Sequence, residues 1–294
     1  MAQRSFFKNS KIGILFLIPQ VSLVLTFFYW PAAAALYWAF TLEQPWGGGS
    51  EFVGLDNFTA ILNDRAYWNS VFYSLVFTIG STILVMGMGL IMALFCERKL
   101  RGYQWYQSAL IWPFAVAAPA AGVAFRFIFT PEAGLLGGLN KISPDFWNPS
   151  QNPVHAMILI ILAYSWKYVA YNFIFLLAGL QSIPKPLIEA SAIDGASVLR
   201  RVTDIQIPLL APVIFFLLMI NITDSFVDSF GIVDITTRGG PSKSTTLMVY
   251  KIYFDGFRGL DYSGAAAQSV ILMFLIMTLT FVQFKWIEKR VHYG

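Results

Sequence analysis

Apolar positions along this 294-residue chain gather into six long runs, with polar and turn-forming residues between them. The runs cover about residues 12–40, 70–96, 105–129, 155–182, 209–232 and 265–286. Each meets or exceeds the roughly 20 apolar residues that a helix needs to cross a bilayer. They are continuous rather than alternating, so they predict helices and not the segments of about ten residues that build a transmembrane barrel. Pro19 and Pro31 predict kinks in the first run. That run exceeds the roughly 7–15-residue core of a secretory signal, so Ala32–Ala35 is not read as a cleavage site. Trp46–Ser50 reads as a turn. After it, Leu55, Phe58, Ile61 and Leu62 recur at helical spacing behind Asp56 and Asn57, which predicts a short amphipathic helix in the interface. No internal repeat is visible of the kind that builds inverted-repeat secondary transporters.

Composition agrees with this pattern. Charged residues make up 12% of the chain and hydrophobic ones 57%, where a soluble domain carries about 25% charged. With a mean hydropathy of +0.62, neither a soluble nor a disordered chain fits. One cysteine, Cys96, and two histidines, His155 and His292, leave no intramolecular disulfide and no Cys- or His-built metal site to expect. The net charge of +4 would suit a nucleic-acid partner until the charges are placed. Twelve of the 20 Lys and Arg fall on one side of the runs: Arg4, Lys8, Lys11, Arg98, Lys99, Arg101, Lys185, Arg200, Arg201, Lys285, Lys289 and Arg290. Arg65, Lys141, Arg238, Lys243, Lys251 and Arg258 fall on the other. The excess of cations on the cytoplasmic side then puts both termini in the cytoplasm, and the basic character needs no nucleic acid. The expected fold is an all-α, multi-pass integral membrane protein with six transmembrane helices in one domain, residues 1–294. Trp105, Trp112 and Trp286 suit interfacial belts, and Gly87, Gly89 and Ala115–Ala124 suit close helix packing.

The other two cations, Arg126 and Lys167, lie inside runs, where an ionisable group costs at least about 2.5–3.5 kcal/mol. The fifth run places Asn221, Asp224, Ser225 and Asp228 on one helical face, and the fourth places Tyr164, Lys167, Tyr168, Tyr171 and Phe175 on one face. At about 1.5 Å per residue, Lys167 and Asp224 both lie roughly 22 Å from the inner ends of their helices. Asp228 and Arg126 lie at roughly 29 and 31 Å. Lys167 with Asp224, and Arg126 with Asp228, are therefore expected as depth-matched pairs. Two readings stay open. These groups are structural ion pairs, or residues wetted at the outer mouth. Alternatively they line a path in which Tyr rings cover a polyol, Asn221 bonds its hydroxyls, and Lys167 or Arg126 attracts an anion. The carboxylates oppose a phosphate, so the residues alone do not specify one. A membrane enzyme is disfavoured, because Asp224, Asp228 and Lys167 have no His or Cys nucleophile beside them.

The most informative polar segment between the runs is residues 184–208. Pro184 and Pro186 suit a helix start, and Glu189 follows near the first turn, where the helix dipole favours an anion. Ala190, Ser191 and Ala192 are small, Gly195 can end a helix left-handed, Ser197 can cap a second, and Pro208 closes the unit. On the residues alone this is either a capped amphipathic helix on the membrane surface or a knuckle that another backbone approaches closely.

The run Glu189-Ala-Ser191, then Gly195, then Ile205-Gln-Ile-Pro208 resembles the coupling loop of bacterial binding-protein-dependent ATP-binding-cassette importer permeases. Phe52-Val-Gly-Leu-Asp-Asn-Phe58, Gly239-Gly-Pro241, Thr245-Thr-Leu247 and Tyr250–Phe257 are similar to other stretches of that family. Ser182–Ala190, Gly259-Leu-Asp261 and Ala265–Phe274 look most like its glycerol-3-phosphate members. The resemblance implies the type I importer permease fold with a cytoplasmic coupling helix, in the bacterial inner membrane. It implies that Glu189, Ala190, Ser191, Asp194, Gly195, Arg200, Ile205 and Pro208 meet an ATPase subunit. It also implies a second permease chain, two ATPases that carry ATP and Mg2+, and a periplasmic solute-binding protein. The implied solute is glycerol 3-phosphate or a glycerophosphodiester, with a neutral oligosaccharide as the alternative. No Gly-x-x-x-x-Gly-Lys-Ser/Thr cradle occurs in the chain, so no ATP site and no enzymatic activity of its own are expected. A self-contained secondary transporter remains a rival, and it would work without an ATPase.

Overall fold

The computed structural model describes residues 10–43, 48–97, 102–143 and 145–287 (backbone alone for 10–14, 103, 104, 106, 286 and 287). Of the residues used above, Arg4, Lys8, Trp46, Arg98, Lys99, Arg101, Lys289, Arg290 and His292 lie outside the described residues, as do the side chains of Lys11 and Trp286. The chain clusters as two compact units, Met1–Asp64 with Ile252–Leu272 and Arg65–Lys251 with Met273–Gly294.

The first unit begins with α1 (Ser10–Val24), a π turn over Leu25–Tyr29 and α2 (Trp30–Ala39). The π turn precedes Pro31, whose ring crowds the carbonyl four residues back and which offers no N–H; widening the turn relieves the conflict. A short antiparallel pair follows, β1 (Thr41–Glu43) with β2 (Ser50–Phe52), and then α3 (Asp56–Asn63), which carries the expected amphipathic pattern. Asn57 Nδ2 ties this corner together by donating to the carbonyls of Ala39 and Thr41 at 3.0 and 2.9 Å.

The second unit is built on two long helices, α4 (Arg65–Glu97) and α8 (Pro153–Ser182). At 33 residues α4 is about 50 Å long, well beyond the hydrocarbon thickness of about 30 Å. The apolar run at 70–96 therefore understates the helix by a turn at its start. Asn152 caps α8 by accepting from the amides of Val154 and His155. Small residues let α4 and α8 approach closely: a Cβ added at Gly89 would lie 3.0 Å from Asn172 Cβ and 3.3 Å from the Phe173 amide nitrogen. Polar groups on α4 are used across helices, as membrane interiors require. Thr78 Oγ1 accepts from Ser225 Oγ at 2.9 Å and Ser74 Oγ from the Met248 amide at 2.8 Å. Phe77, Ile160, Tyr164, Ile232 and Leu247 centre one apolar core, and Phe173, Leu176, Leu210 and Leu217 another.

The third apolar run is not one helix. It divides into α5 (Tyr103–Ile111), a 3-10 turn over Trp112–Ala115 and α6 (Ala118–Ile128), with an angle of 108° across the break. Val116 and Ala117 are extended, with ψ of 131° and 142°. Pro119 accounts for the position, because it has no N–H to donate back to the Ala115 carbonyl and is tolerated only in the first turn of a new helix, where it sits in α6. After α7 (Gly137–Ile142) and α8 come α9 (Lys185–Ile193), α10 (Val198–Arg201), a π turn over Val202–Gln206 and α11 (Ile207–Leu209). The fifth run is also interrupted. It bends by 71° into α12 (Ala211–Val227) and breaks again at Asp228–Ser229 before α13 (Phe230–Thr236). Next, α14 (Met248–Tyr253) and a π turn over Phe254–Arg258 lead to α15 (Tyr262–Ile287), the sixth apolar run. Four helices among the described residues are long and apolar enough to span a membrane, and the count rises to six when each bent pair is one span.

Candidate functional site

Two parts of the second unit carry the groups singled out in the sequence. The first is the knuckle at 184–208. Pro186 sits in the first turn of α9, where its missing N–H leaves no bond unmade. The helix ends in a paired-hydrogen-bond cap: the Ala196 amide donates to Ser191 O at 3.0 Å and the Gly195 amide to Ala192 O at 3.2 Å. Gly195 has φ +80°, the left-handed value this cap demands. Ser197 Oγ then accepts from the Arg200 amide and starts α10. Arg200 pairs with Asp204 at 3.3 Å, one turn on. Glu189, Ala190, Asp194, Gly195 and Pro208 are exposed, and Ser191 and Ile205 are half-buried. Two apolar side chains stand out from the surface, Ile193 at 87% exposed and Leu199 at 73%. Beside them, cavities of about 320 and 200 Å³ share Glu97, Ile188 and Gln206 in their walls.

The second part is the face shared by the 3-10 turn, α8 and α12. Aromatic rings form a ladder along it. Phe114 stacks on Tyr171 at 6.0 Å, Tyr171 meets Phe175 at 4.7 Å, and Phe175 meets Phe216 at 5.4 Å. Asp224 on α12 and Asp228, the residue that caps its C-terminal end, stand one turn apart. Tyr168 Oη donates to Asp228 Oδ2 at 3.2 Å. Tyr164 is fully buried, stacked on Tyr168 at 4.3 Å and edge-on to Phe77.

Neither depth-matched ion pair forms. Lys167 Nζ donates to the carbonyls of Phe114 at 3.1 Å and Val116 at 2.7 Å, not to Asp224. Arg126 donates to the Ile235 carbonyl at 3.2 Å, not to Asp228. The depth arithmetic treated the third run as a straight rod, whereas its break releases carbonyls that attract the lysine. Asn221 is likewise occupied. Its amide exchanges reciprocal hydrogen bonds with Asn172, at 2.7 and 3.0 Å, in a site closed to solvent. The sequence reading missed Asn172 and Phe114. An asparagine in an apolar run, with Asn221 the one other asparagine within the runs, was the available signal for Asn172. It also missed a cavity of about 530 Å³ lined by Arg126, Glu132, Asn148, Gln151, Thr237 and Gly240. Trp147 closes the loop beside it by donating from Nε1 to Phe129 O at 2.9 Å and stacking on His155.

The knuckle is an exposed, capped helix–turn–helix carried between the spans of α8 and α12. Residues 89–293 match the family described as the inner membrane component of binding-protein-dependent transport systems, and the chain belongs to that family. Its relatives include the sn-glycerol-3-phosphate transport system permease protein UgpA of Rhizobium meliloti (strain 1021), 46% identical over 99% of this chain and 100% of that protein. UgpA of Yersinia enterocolitica is 44% identical over 99% of both chains. Among solved structures, a bacterial ABC transporter for import of the acidic polysaccharide alginate superposes with a TM-score of 0.83 at 20% identity, covering 96% of each chain. The fold is therefore that of an ABC importer permease, an all-α inner membrane component.

Proposed function

We propose that this chain is the permease subunit of an ATP-driven importer that carries sn-glycerol 3-phosphate or a glycerophosphodiester inward by alternating access. The observation that carries the solute is the identity of 44–46% with proteins named for sn-glycerol-3-phosphate transport, which runs over nearly the whole chain. Both termini lie in the cytoplasm in this reading. The partners are a second, different permease chain, two ATPase subunits that hold ATP and Mg2+, and a periplasmic solute-binding protein.

The knuckle is the contact with the ATPase. Ala190, Ser191 and Gly195 let a foreign backbone approach, Ile193 and Leu199 are apolar anchors, and Glu189, Asp194 and Arg200 give the surface its charge pattern. Ile205 and Pro208 join it to the membrane. ATP binding draws the two ATPases together and pulls the knuckle, the paired permeases open outward to a docked binding protein, and hydrolysis resets them. The ring ladder with Asp224 and Asp228 lines this subunit's side of the path. Two carboxylates in a span are costly against lipid, which supports their facing water or the other permease chain. They suit the hydroxyl end of the solute, with the rings over its carbon skeleton.

The test is reconstitution of the whole assembly in proteoliposomes. Uptake of sn-glycerol 3-phosphate should require ATP, and the solute with its binding protein should stimulate hydrolysis. Glu189→Lys should bring both to background while the chain still inserts and pairs with the other permease. Stimulation by a neutral oligosaccharide instead would replace the solute. Uptake driven by an ion gradient without the ATPase would overturn the reading.

A further inference from the structure

We infer that Lys167 is a positioning residue: its ammonium clasps the break in the third span and sets the angle between α5 and α6, rather than meeting an anionic solute. The role in transport rests on the importer reading above; the clasp itself rests on geometry alone.

The break creates the need for such a group. In an unbroken helix Phe114 O would accept from the Ala118 amide and Val116 O from the Ala120 amide. The extended conformations at Val116 and Ala117 carry the chain away, so both carbonyls lose those donors. Ala115 O would have faced Pro119, which has no N–H to give. Orphaned carbonyls within a membrane span are costly unless another donor meets them. Lys167 meets two of the three, at 3.1 and 2.7 Å. It is held there from the sides as well, because its Nζ lies 5.1 Å from the Phe114 ring centroid and 5.3 Å from that of Tyr168.

The placement gives the clasp leverage. Lys167 projects from the middle of α8, an uninterrupted 30-residue helix, so a continuous span braces a broken one. The next residue, Tyr168, bonds Asp228 at the end of α12. Through two adjacent side chains α8 therefore holds the break in the third span and the carboxylate end of the fifth. An ammonium committed to two carbonyls and two ring faces, with Asp228 in its neighbourhood, is a poor receptor for an incoming phosphate.

The experiment uses the full assembly in nanodiscs, with Cys96→Ser and spin labels at Trp105→Cys on α5 and Val123→Cys on α6, both exposed positions. Double electron–electron resonance should give a narrow distance distribution with Lys167 or Lys167→Arg and a broad one with Lys167→Met. In proteoliposomes Lys167→Met should lower the maximal uptake rate by roughly tenfold or more, as expected for losing two charge-assisted hydrogen bonds. The KM for sn-glycerol 3-phosphate should stay within about twofold, and Lys167→Arg should restore the rate. Should Lys167→Met fail to assemble, Lys167→Gln, uncharged and one bond too short to reach both carbonyls, carries the same test. An unchanged distance distribution in the Met or Gln variant overturns the clasp. So does a tenfold rise in KM at unchanged maximal rate, which would mark an anion ligand. A wild-type assembly that does not take up sn-glycerol 3-phosphate would sink the importer reading and leave the distance measurement to decide the clasp.

Discussion

Gly195 offers the sharpest test of the knuckle, because its conformation and its surroundings make opposite demands. Its φ of +80° lies where side-chain-bearing residues are strained, yet a Cβ built on it meets nothing within 4 Å. Substitution therefore leaves packing within this chain alone and acts on the chain's own shape only through the backbone. Holding an ordinary L-residue in the left-handed region costs about 1–2 kcal/mol, and more for a β-branched one. Relaxing that strain means giving up the two capping bonds from Gly195 and Ala196, after which α9 has no fixed end and Ser197 no fixed place to start α10. A cost of 1–2 kcal/mol corresponds to roughly 5- to 30-fold less of the docking-competent shape, and the apparent affinity for the ATPase falls by the same factor. Gly195→Val should show this loss in full, Gly195→Ala part of it, and Gly195→Asn least, because Asn tolerates the left-handed region. Titrating the purified ATPase onto the permease pair in nanodiscs measures the affinity, and solute-stimulated hydrolysis measures coupling. Equal affinity for the Val variant and wild type would refute the argument. A ranking in which Asn is as damaging as Val would refute it too, because it would mean that the side chain and not the backbone angle decides.

Two further outcomes follow from the α4–α8–α12 packing. Asn221→Ala should strand the buried Asn172 amide and destabilise the chain by about 1–2 kcal/mol, whereas the double replacement of Asn172 and Asn221 by Leu should recover part of that loss, as read from thermal unfolding in detergent. Gly89→Leu should push α4 off α8 and lower the melting temperature sharply, because its Cβ already meets Asn172 and the Phe173 backbone, whereas Gly87→Ala, which meets nothing, should leave it unchanged.

What could be read from the sequence was local. The apolar runs announced the spans because membrane helices satisfy their own backbone, so their length and composition are set residue by residue. The knuckle was equally legible, since Pro184, Pro186, Gly195 and Ser197 act on neighbours a few residues away. The break at Val116–Ala117 was not, because Pro119 lies in an Ala-rich apolar stretch that reads as a continuous span, and proline also stands at the start of unbroken helices. That one omission explains the failed ion pairs. With the third run drawn straight, Lys167 had no carbonyls to find, and a carboxylate at equal depth was the obvious partner. The cavity beside Arg126 was out of reach for a different reason: its walls come from 126–132, 148–151 and 236–241, stretches that only the fold brings together.

The link between the knuckle and the ring-lined face is built to be stiff. From Val198 to Val227 the chain is helical except at Leu210, where it bends by 71°. The π turn at Val202–Gln206 sits just ahead of Pro208 as the π turn at Leu25–Tyr29 sits just ahead of Pro31, so in both places a widened turn absorbs a proline without ending the helix. Leu210 is fully buried, and the position of a Cβ at Gly179 lies 2.6 Å from Leu210 Cδ2, so only glycine there leaves the leucine its seat. A bend whose apex is locked into α8, with a helical arm on either side, behaves as a crank and not as a joint. In the proposed coupling, displacing α10 turns α12 and carries Asp224 and Asp228 with it. The same Asp228 is held by Tyr168, next to the lysine that fixes the third span. On that proposal, motion that enters at the knuckle reaches the carboxylates through backbone and meets two side chains of α8 there.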